Sequence, residues 1–107
     1  MKRQITVKFD DFDKAVYAVL SQVPAGRVVS YGALAFLAGY PRAARRAGLA
    51  MRRCPDSLPW QRVVHSDGSV SGGYFPELRR ALLEGEGVIF GSSGKIDMEK
   101  YGWRGEE

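Results

Sequence analysis

Cysteine is nearly absent from this chain: Cys54 is the only one in 107 residues. An internal disulfide is therefore excluded, a cysteine-based metal centre is not credible, and a reducing compartment is the consistent setting. No metal and no other cofactor is expected. Long apolar runs are also missing, so no stretch reaches the length of a membrane span. The N-terminus Met1-Lys2-Arg3-Gln4 lacks the apolar core of a signal peptide. No membrane partner is expected, and the chain reads as soluble and cytoplasmic, nucleoid-associated if its source is a bacterium. Internal repeats, low-complexity blocks and interdomain linkers are lacking too. That leaves one domain over residues 1–107, in which Ile5 to Phe9 either pairs as a strand or lies as a loose tail within 1–9.

What is present is an ordinary globular composition, 45% hydrophobic and 26% charged, with a net charge of +4. A pI near 9.5 favours a polyanionic partner only weakly, and the placement of the charge decides more than its total.

Asp10 or Asp11 is suited to cap a helix running through Val23, with Phe12, Val16, Val19, Leu20 and Val23 as its apolar stripe. Pro24-Ala25-Gly26 reads as a turn and Val28-Val29 as a short extended stretch. Ser30 caps a second helix, Tyr31 to Ala38, which Gly39 ends. Pro41 opens a third helix reaching about Arg53. At about 100° per residue, Ala43, Ala47, Ala50, Met51 and Cys54 share one face, and Arg42, Arg45, Arg46, Arg52 and Arg53 share the other. Two short helices joined at Gly39-Tyr40-Pro41 read as a helix-turn-helix with a basic face. The same arginines also read as the solvated side of an amphipathic helix.

The second half changes period. Arg62 to His65, an Asp67-Gly68 turn and Ser69 to Ser71 read as a hairpin in the position of a wing. Gly72 to Pro76 is a loop, and Glu77 to Glu84 a helix with Leu78 and Leu82 on one side. Val88-Ile89-Phe90 is a buried strand candidate, Gly91 to Gly94 a turn, and Lys95 to Trp103 the closing segment.

Between these halves lies Pro59-Trp60-Gln61-Arg62-Val63-Val64. It resembles the Pro-Cys-His-Arg-Val active-site motif of the O6-alkylguanine-DNA alkyltransferases, with Trp60 at the alkyl-accepting cysteine and Gln61 at the histidine. The likeness extends over Val23-Pro24-Ala25-Gly26-Arg27-Val28, Ser30-Tyr31-Gly32, Gly39-Tyr40-Pro41-Arg42-Ala43-Ala44-Arg45 and Leu83-Glu84-Gly85-Glu86-Gly87-Val88. The ending Gly94-Lys95-Ile96-Asp97 with Tyr101-Gly102-Trp103 is similar to the alkyltransferase-like branch, which binds alkylated guanine in DNA without repairing it. The resemblance implies a small α/β domain, a winged helix-turn-helix like the C-terminal DNA-binding domain of the alkyltransferases.

Carried over by position, the resemblance makes Arg45 the finger that fills the gap left by an extruded nucleotide. Tyr31 meets the rotated phosphate and the base edge. Met51, Trp60, Val63, Ser71 and Gly72 belong to the lesion pocket. Arg42, Ala43, Ala44, Arg46 and Gly48 join Arg45 and Tyr31 at the DNA. The small residues of this helix give it a slim profile for the minor groove, about 6 Å wide. Gln61, Arg62 and Glu86 remain from the catalytic network. Bland alternatives stand beside these: Tyr31 as a helix-start surface residue, Met51 as core filler and Trp60 as a buried anchor.

Alkyl transfer needs a thiolate and a base, and neither Trp60 nor Gln61 supplies one. Cys54 lies on the apolar helix face, where free cysteines are commonly buried. It stands before Pro55, where the family has a bracing asparagine. The expectation is a non-enzymatic monomer that binds double-stranded DNA containing O6-alkylguanine, flags it to nucleotide excision repair proteins and blocks alkyltransferase access. A winged-helix transcription regulator and a weak methylated-DNA–cysteine alkyltransferase are the rival readings.

Overall fold

Asp10 starts the first helix, α1 (Asp11–Leu20), by accepting the Asp13 N–H at 2.8 Å, and the early acidic residues complement the helix dipole. The computed structural model describes residues 9–70 and 75–105, so Ile5 to Lys8 of the tail or strand expectation lie outside it. Phe12, Val16 and Leu20 are buried at helical spacing. Apolar spacing alone would carry the helix to Val23. Instead the backbone leaves α1 at Leu20 through tighter bonds, Gln22 N–H to the Val19 carbonyl and Val23 N–H to the Leu20 carbonyl. Val23 is nevertheless buried, because a turn can deliver a side chain to the same core.

Val29–Ser30 forms β1, which pairs in parallel with β2 (Val63–Val64), Val29 opposite Val63 and Ser30 opposite Val64. This corrects the hairpin expected from Arg62 to Ser71. The Asp67-Gly68 turn does form, with the His65 N–H on the Ser69 carbonyl and the Asp67 carboxylate accepting from the Ser69 N–H. Gly68 then docks against Ile96, whose N–H it accepts at 2.9 Å. With φ of +88°, and a Cβ there colliding with the Ile96 backbone, only glycine fits. Ser71 and the loop to Tyr74 lie outside the described residues.

The parallel pairing follows from burial. Adjacent strand residues face opposite ways, and here both faces are covered. Val29 and Val63 join the core made with α1, while Val28 and Val64 join a second core with Val70, Leu83, Val88 and Ile96.

Ser30 caps α2 (Tyr31–Leu37) by accepting the Ala33 N–H at 3.1 Å. The third helix, α3, is Ala44–Arg52, not Pro41 to Arg53. Arg42 takes φ of +69°, a left-handed conformation that a right-handed helix cannot continue through, so Pro41 belongs to the turn. Ala47 and Ala50 are fully buried and bring α3 close against its neighbours. The Tyr17 hydroxyl of α1 donates to the Ala50 carbonyl at 2.6 Å, and burial pushes that hydroxyl up to about 12.

The fourth helix, α4, is Pro76–Gly85 with proline in its first turn. The expected apolar side is inverted: Leu78 and Leu82 are 49% and 38% exposed, whereas Arg79 and Leu83 are 2% and 0% exposed. Val88-Ile89-Phe90 is not a strand. Ile89 faces solvent, and only Phe90 forms an antiparallel bridge, to Ile96, around the Gly91 to Gly94 turn. The chain closes through α5 (Met98–Tyr101), capped by Asp97, and the Trp103 N–H donates to the Val28 carbonyl at 2.7 Å.

Tyr17→Phe should lower unfolding stability by about 1 kcal/mol, the scale of one intramolecular hydrogen bond. Urea denaturation checks this, and an unchanged midpoint would mean that the α1–α3 link contributes nothing.

Candidate nucleic-acid interface

Pro59 and the buried strand β2 bracket a single 3-10 turn, Trp60–Arg62. The turn is tied by the Trp60 N–H on the Leu58 carbonyl and the Arg62 N–H on the Pro59 carbonyl. Because Val63 must enter the core, Trp60 is left half-buried at the surface end. Its two neighbours in the chain hold this turn in place.

Gln61 Nε2 donates to Glu86 Oε2 at 2.8 Å, and Arg62 donates to both Glu86 oxygens at 3.0–3.3 Å. The Gly26 N–H donates to Oε1 at 3.2 Å, and Arg62 Nη1 reaches the Val23 carbonyl at 2.8 Å. Gly26, at φ of +86°, brings its backbone to the carboxylate where a Cβ would press on the Glu86 carbonyl. Burial by itself would raise the Glu86 carboxyl, but the donors from Arg62, Gly26 and Gln61 outweigh it and hold the carboxyl below its ordinary value. Gln61 serves here as a donor to an ionised carboxylate, a role that involves no proton transfer.

Beside Trp60 lies a cavity of about 450 Å³ lined by Met51, Arg52, Cys54, Asp56, Phe75, Leu78 and Arg79 as well as Trp60 itself. Phe75 meets the Trp60 ring edge-on at 6.5 Å between centroids. The Arg79 guanidinium sits 5.5 Å from the Trp60 ring and donates to the Tyr31 hydroxyl at 3.3 Å. Tyr31 also leans on His65, at 5.4 Å. Of the residues assigned to a pocket from sequence, Trp60 and Met51 line this cavity, and Tyr31 touches its wall through Arg79. The Val63 side chain is fully buried in the core, which leaves only its backbone near Trp60. Ser71 and Gly72 lie outside the described residues. Cys54 both lines the cavity and packs on the core. Burial pushes its thiol up to about 11, away from the thiolate a nucleophile needs.

Arg79, Phe75 and Leu78 were not assigned to the site by sequence reasoning, which placed Leu78 on the expected core side of its helix. The one available signal was that Arg79 stands four residues before Leu83 and so shares its helix face. Hydropathy had pointed to Leu78 and Leu82.

The arginine face of α3 is divided. Arg46 reaches Asp10 at 3.4 Å and lies 4.3 Å over the Phe12 ring. Arg53 donates to both oxygens of the buried Asp13 at 2.9 Å. Arg42, Arg45 and Arg52 are exposed, and no described residue forms an ion pair with Arg45. Ala44 is exposed, Ala43 and Gly48 are half-buried, and a Cβ on Gly48 would meet nothing within 4 Å. This side of α3 is therefore thin and open. Among the described residues no helix is long and apolar enough to cross a membrane.

Residues 11–88 match the family model of the 6-O-methylguanine DNA methyltransferase DNA-binding domain. The chain is 43% identical over 100 residues to the DNA base-flipping protein of Escherichia coli K12, covering 90% of this chain and 77% of that one. It is 33% identical over 107 residues to alkyltransferase-like protein 1 of Schizosaccharomyces pombe, covering 92% and 99%. The crystal structure of S. pombe Atl1 in complex with damaged DNA containing O6-carboxymethylguanine superposes with a TM-score of 0.77 at 32% identity, covering 91% of this chain and 98% of that one.

Glu86→Gln should cost about 2 kcal/mol at pH 7, since it removes one partner of a largely buried ion pair. The sign with pH follows from the depressed carboxyl. Its contribution is complete above the unfolded value of about 4.3 and is lost as pH falls through the lower folded value. Wild type and variant should thus converge in urea midpoint as pH falls through that lowered value; a gap that stays constant with pH would assign the effect to packing instead.

Proposed function

The chain belongs to the family of the 6-O-methylguanine DNA methyltransferase DNA-binding domain, in its alkyltransferase-like branch, and from that premise we propose that it recognises O6-alkylguanine in duplex DNA without repairing it. The observation that carries this reading is Trp60 lining a cavity on a turn held by Glu86; by its resemblance to the Pro-Cys-His-Arg-Val motif, Trp60 stands for the acceptor cysteine. The cavity volume falls within the range of about 300–1,000 Å³ usual for small-ligand sites, which suits one extruded base and its adduct. The Trp60 ring gives an alkyl group a broad, polarizable wall at little entropic cost.

Docking begins on the thin side of α3. Ala44 and Gly48 let the helix approach a widened minor groove, and Arg42, Arg45, Arg46 and Arg52 meet the phosphates. Arg45 enters the stack behind the flipped nucleotide, while Tyr31 supports the rotated phosphate. Minor-groove readout is degenerate, so the search tolerates sequence and the cavity supplies the discrimination. A bound lesion is never turned over. The complex therefore persists, blocks alkyltransferase access and flags the site for nucleotide excision repair, with the protein acting as a monomer.

Trp60 fluorescence, in a Trp103→Phe background, should change more with O6-methylguanine duplex than with undamaged duplex, and added salt should weaken both without abolishing the preference. Equal affinity for the two duplexes at every salt concentration would falsify lesion recognition. Arg45→Ala should lose about 1–3 kcal/mol of lesion affinity, the scale of a stacking contact, and Arg52→Ala less. If both lose the same amount, Arg45 is only a phosphate contact.

Transfer of labelled methyl from O6-methylguanine DNA checks the non-enzymatic reading. Wild type should accept none. Trp60→Cys should remain slow, because a thiol near the free value of about 8.5 is only a few per cent thiolate at pH 7. Adding Gln61→His should raise the rate, since Glu86 would orient the imidazole. Methyl accepted by wild type overturns the reading.

A further inference from the structure

Arg79 is the most deeply buried cation on the cavity wall, 2% exposed, and its environment is incomplete. Nη1 donates to the Tyr31 hydroxyl and the guanidinium carbon lies 5.5 Å from the centre of the Trp60 ring, but Nε is buried and no described residue accepts from it. No carboxylate among the described residues forms an ion pair with Arg79. A buried guanidinium with an unused donor is costly unless an acceptor arrives, and an anionic acceptor offsets the most. The other charged groups on the wall, Arg52 and Asp56, are exposed, so solvent screens them far more. The remaining lining is apolar or aromatic and has no other buried cation.

We infer that Arg79 makes this cavity select guanine adducts that end in a carboxylate over neutral adducts of the same shape. The inference rests on the lesion-binding reading above and adds a substrate class to it. Planar two-oxygen recognition suits a guanidinium, which donates along a fixed fork. Burial, the Tyr31 hydroxyl and the Trp60 ring hold the guanidinium in place, so little ordering remains to be done when the adduct enters.

The test compares four duplexes differing at one guanine: O6-carboxymethyl, O6-carbamoylmethyl, O6-methyl and unmodified. The carboxymethyl and carbamoylmethyl groups share a planar outline and differ in charge. Fluorescence anisotropy at a single salt concentration should show wild type binding the carboxymethyl duplex roughly tenfold more tightly than the carbamoylmethyl duplex, the scale of a charge-assisted hydrogen bond. Arg79→Met should bring that ratio to about one, and Arg52→Met should leave it nearly intact. If Arg79→Met does not fold, as judged by circular dichroism, the wild-type ratio still decides, and Arg79→Lys should keep only part of it. A wild-type ratio of one, with both adducts still preferred over unmodified guanine, overturns this inference and leaves lesion recognition standing. A ratio lost with Arg52→Met but kept with Arg79→Met also overturns it. No preference for any adduct over guanine overturns both.

Discussion

One carboxylate sets the geometry on which the rest depends. Glu86, just past the end of α4, gathers Arg62, Gln61 and the Gly26 N–H, and Arg62 continues to the Val23 carbonyl. Those contacts join the exit of α1, the turn before β1, the 3-10 turn and the end of α4. Among the described residues none hydrogen-bonds to the Trp60 side chain, which meets the Phe75 ring and the Arg79 guanidinium; the turn that carries it is held through the residues that follow it. Burying Glu86 without these donors would be strongly unfavourable, so the network and the turn stand or fall together.

Much of the fold was legible because it was written locally. Asp10 and Ser30 announced their helices through side-chain acceptors, and the glycines after α2 and in the Asp67-Gly68 turn sit at positive φ as turn chemistry demands. Strand pairing was not legible, since Val63 and Val64 are as suited to a hairpin as to a parallel partner thirty-odd residues earlier. What decides between them is the presence of a core on both faces, a tertiary fact. The start of α3 was misplaced because Pro41 is a good first helical residue and nothing in the sequence marks Arg42 as left-handed.

The candidate site divides the same way. The Pro59 to Val64 motif carried the Trp60 turn and its Glu86 partner, and the helix wheel carried the arginines. It did not show that Asp10 and Asp13, which belong to the first turn of another helix, engage Arg46 and Arg53. Arg79 was hidden for a related reason. Hydropathy ranks a leucine above an arginine for burial, and it is the Trp60 ring and the Tyr31 hydroxyl that receive the arginine here.

The bridge between Val28 and Gly102 has a consequence for how this chain matures. The helices α1 to α3 close on one another over modest sequence separation and can associate while the rest is still being synthesised. The second core cannot. Val28 and Arg27 wait for Tyr101, Gly102 and Trp103, with Arg27 and Tyr101 74 residues apart in the chain, and until those residues are made the strand edge at Val28 has no partner. Unpaired strand edges invite pairing with other chains. The α5 turn is thus also a protection: the nascent chain passes through a sticky half-built stage that ends only when Tyr101 to Trp103 arrive.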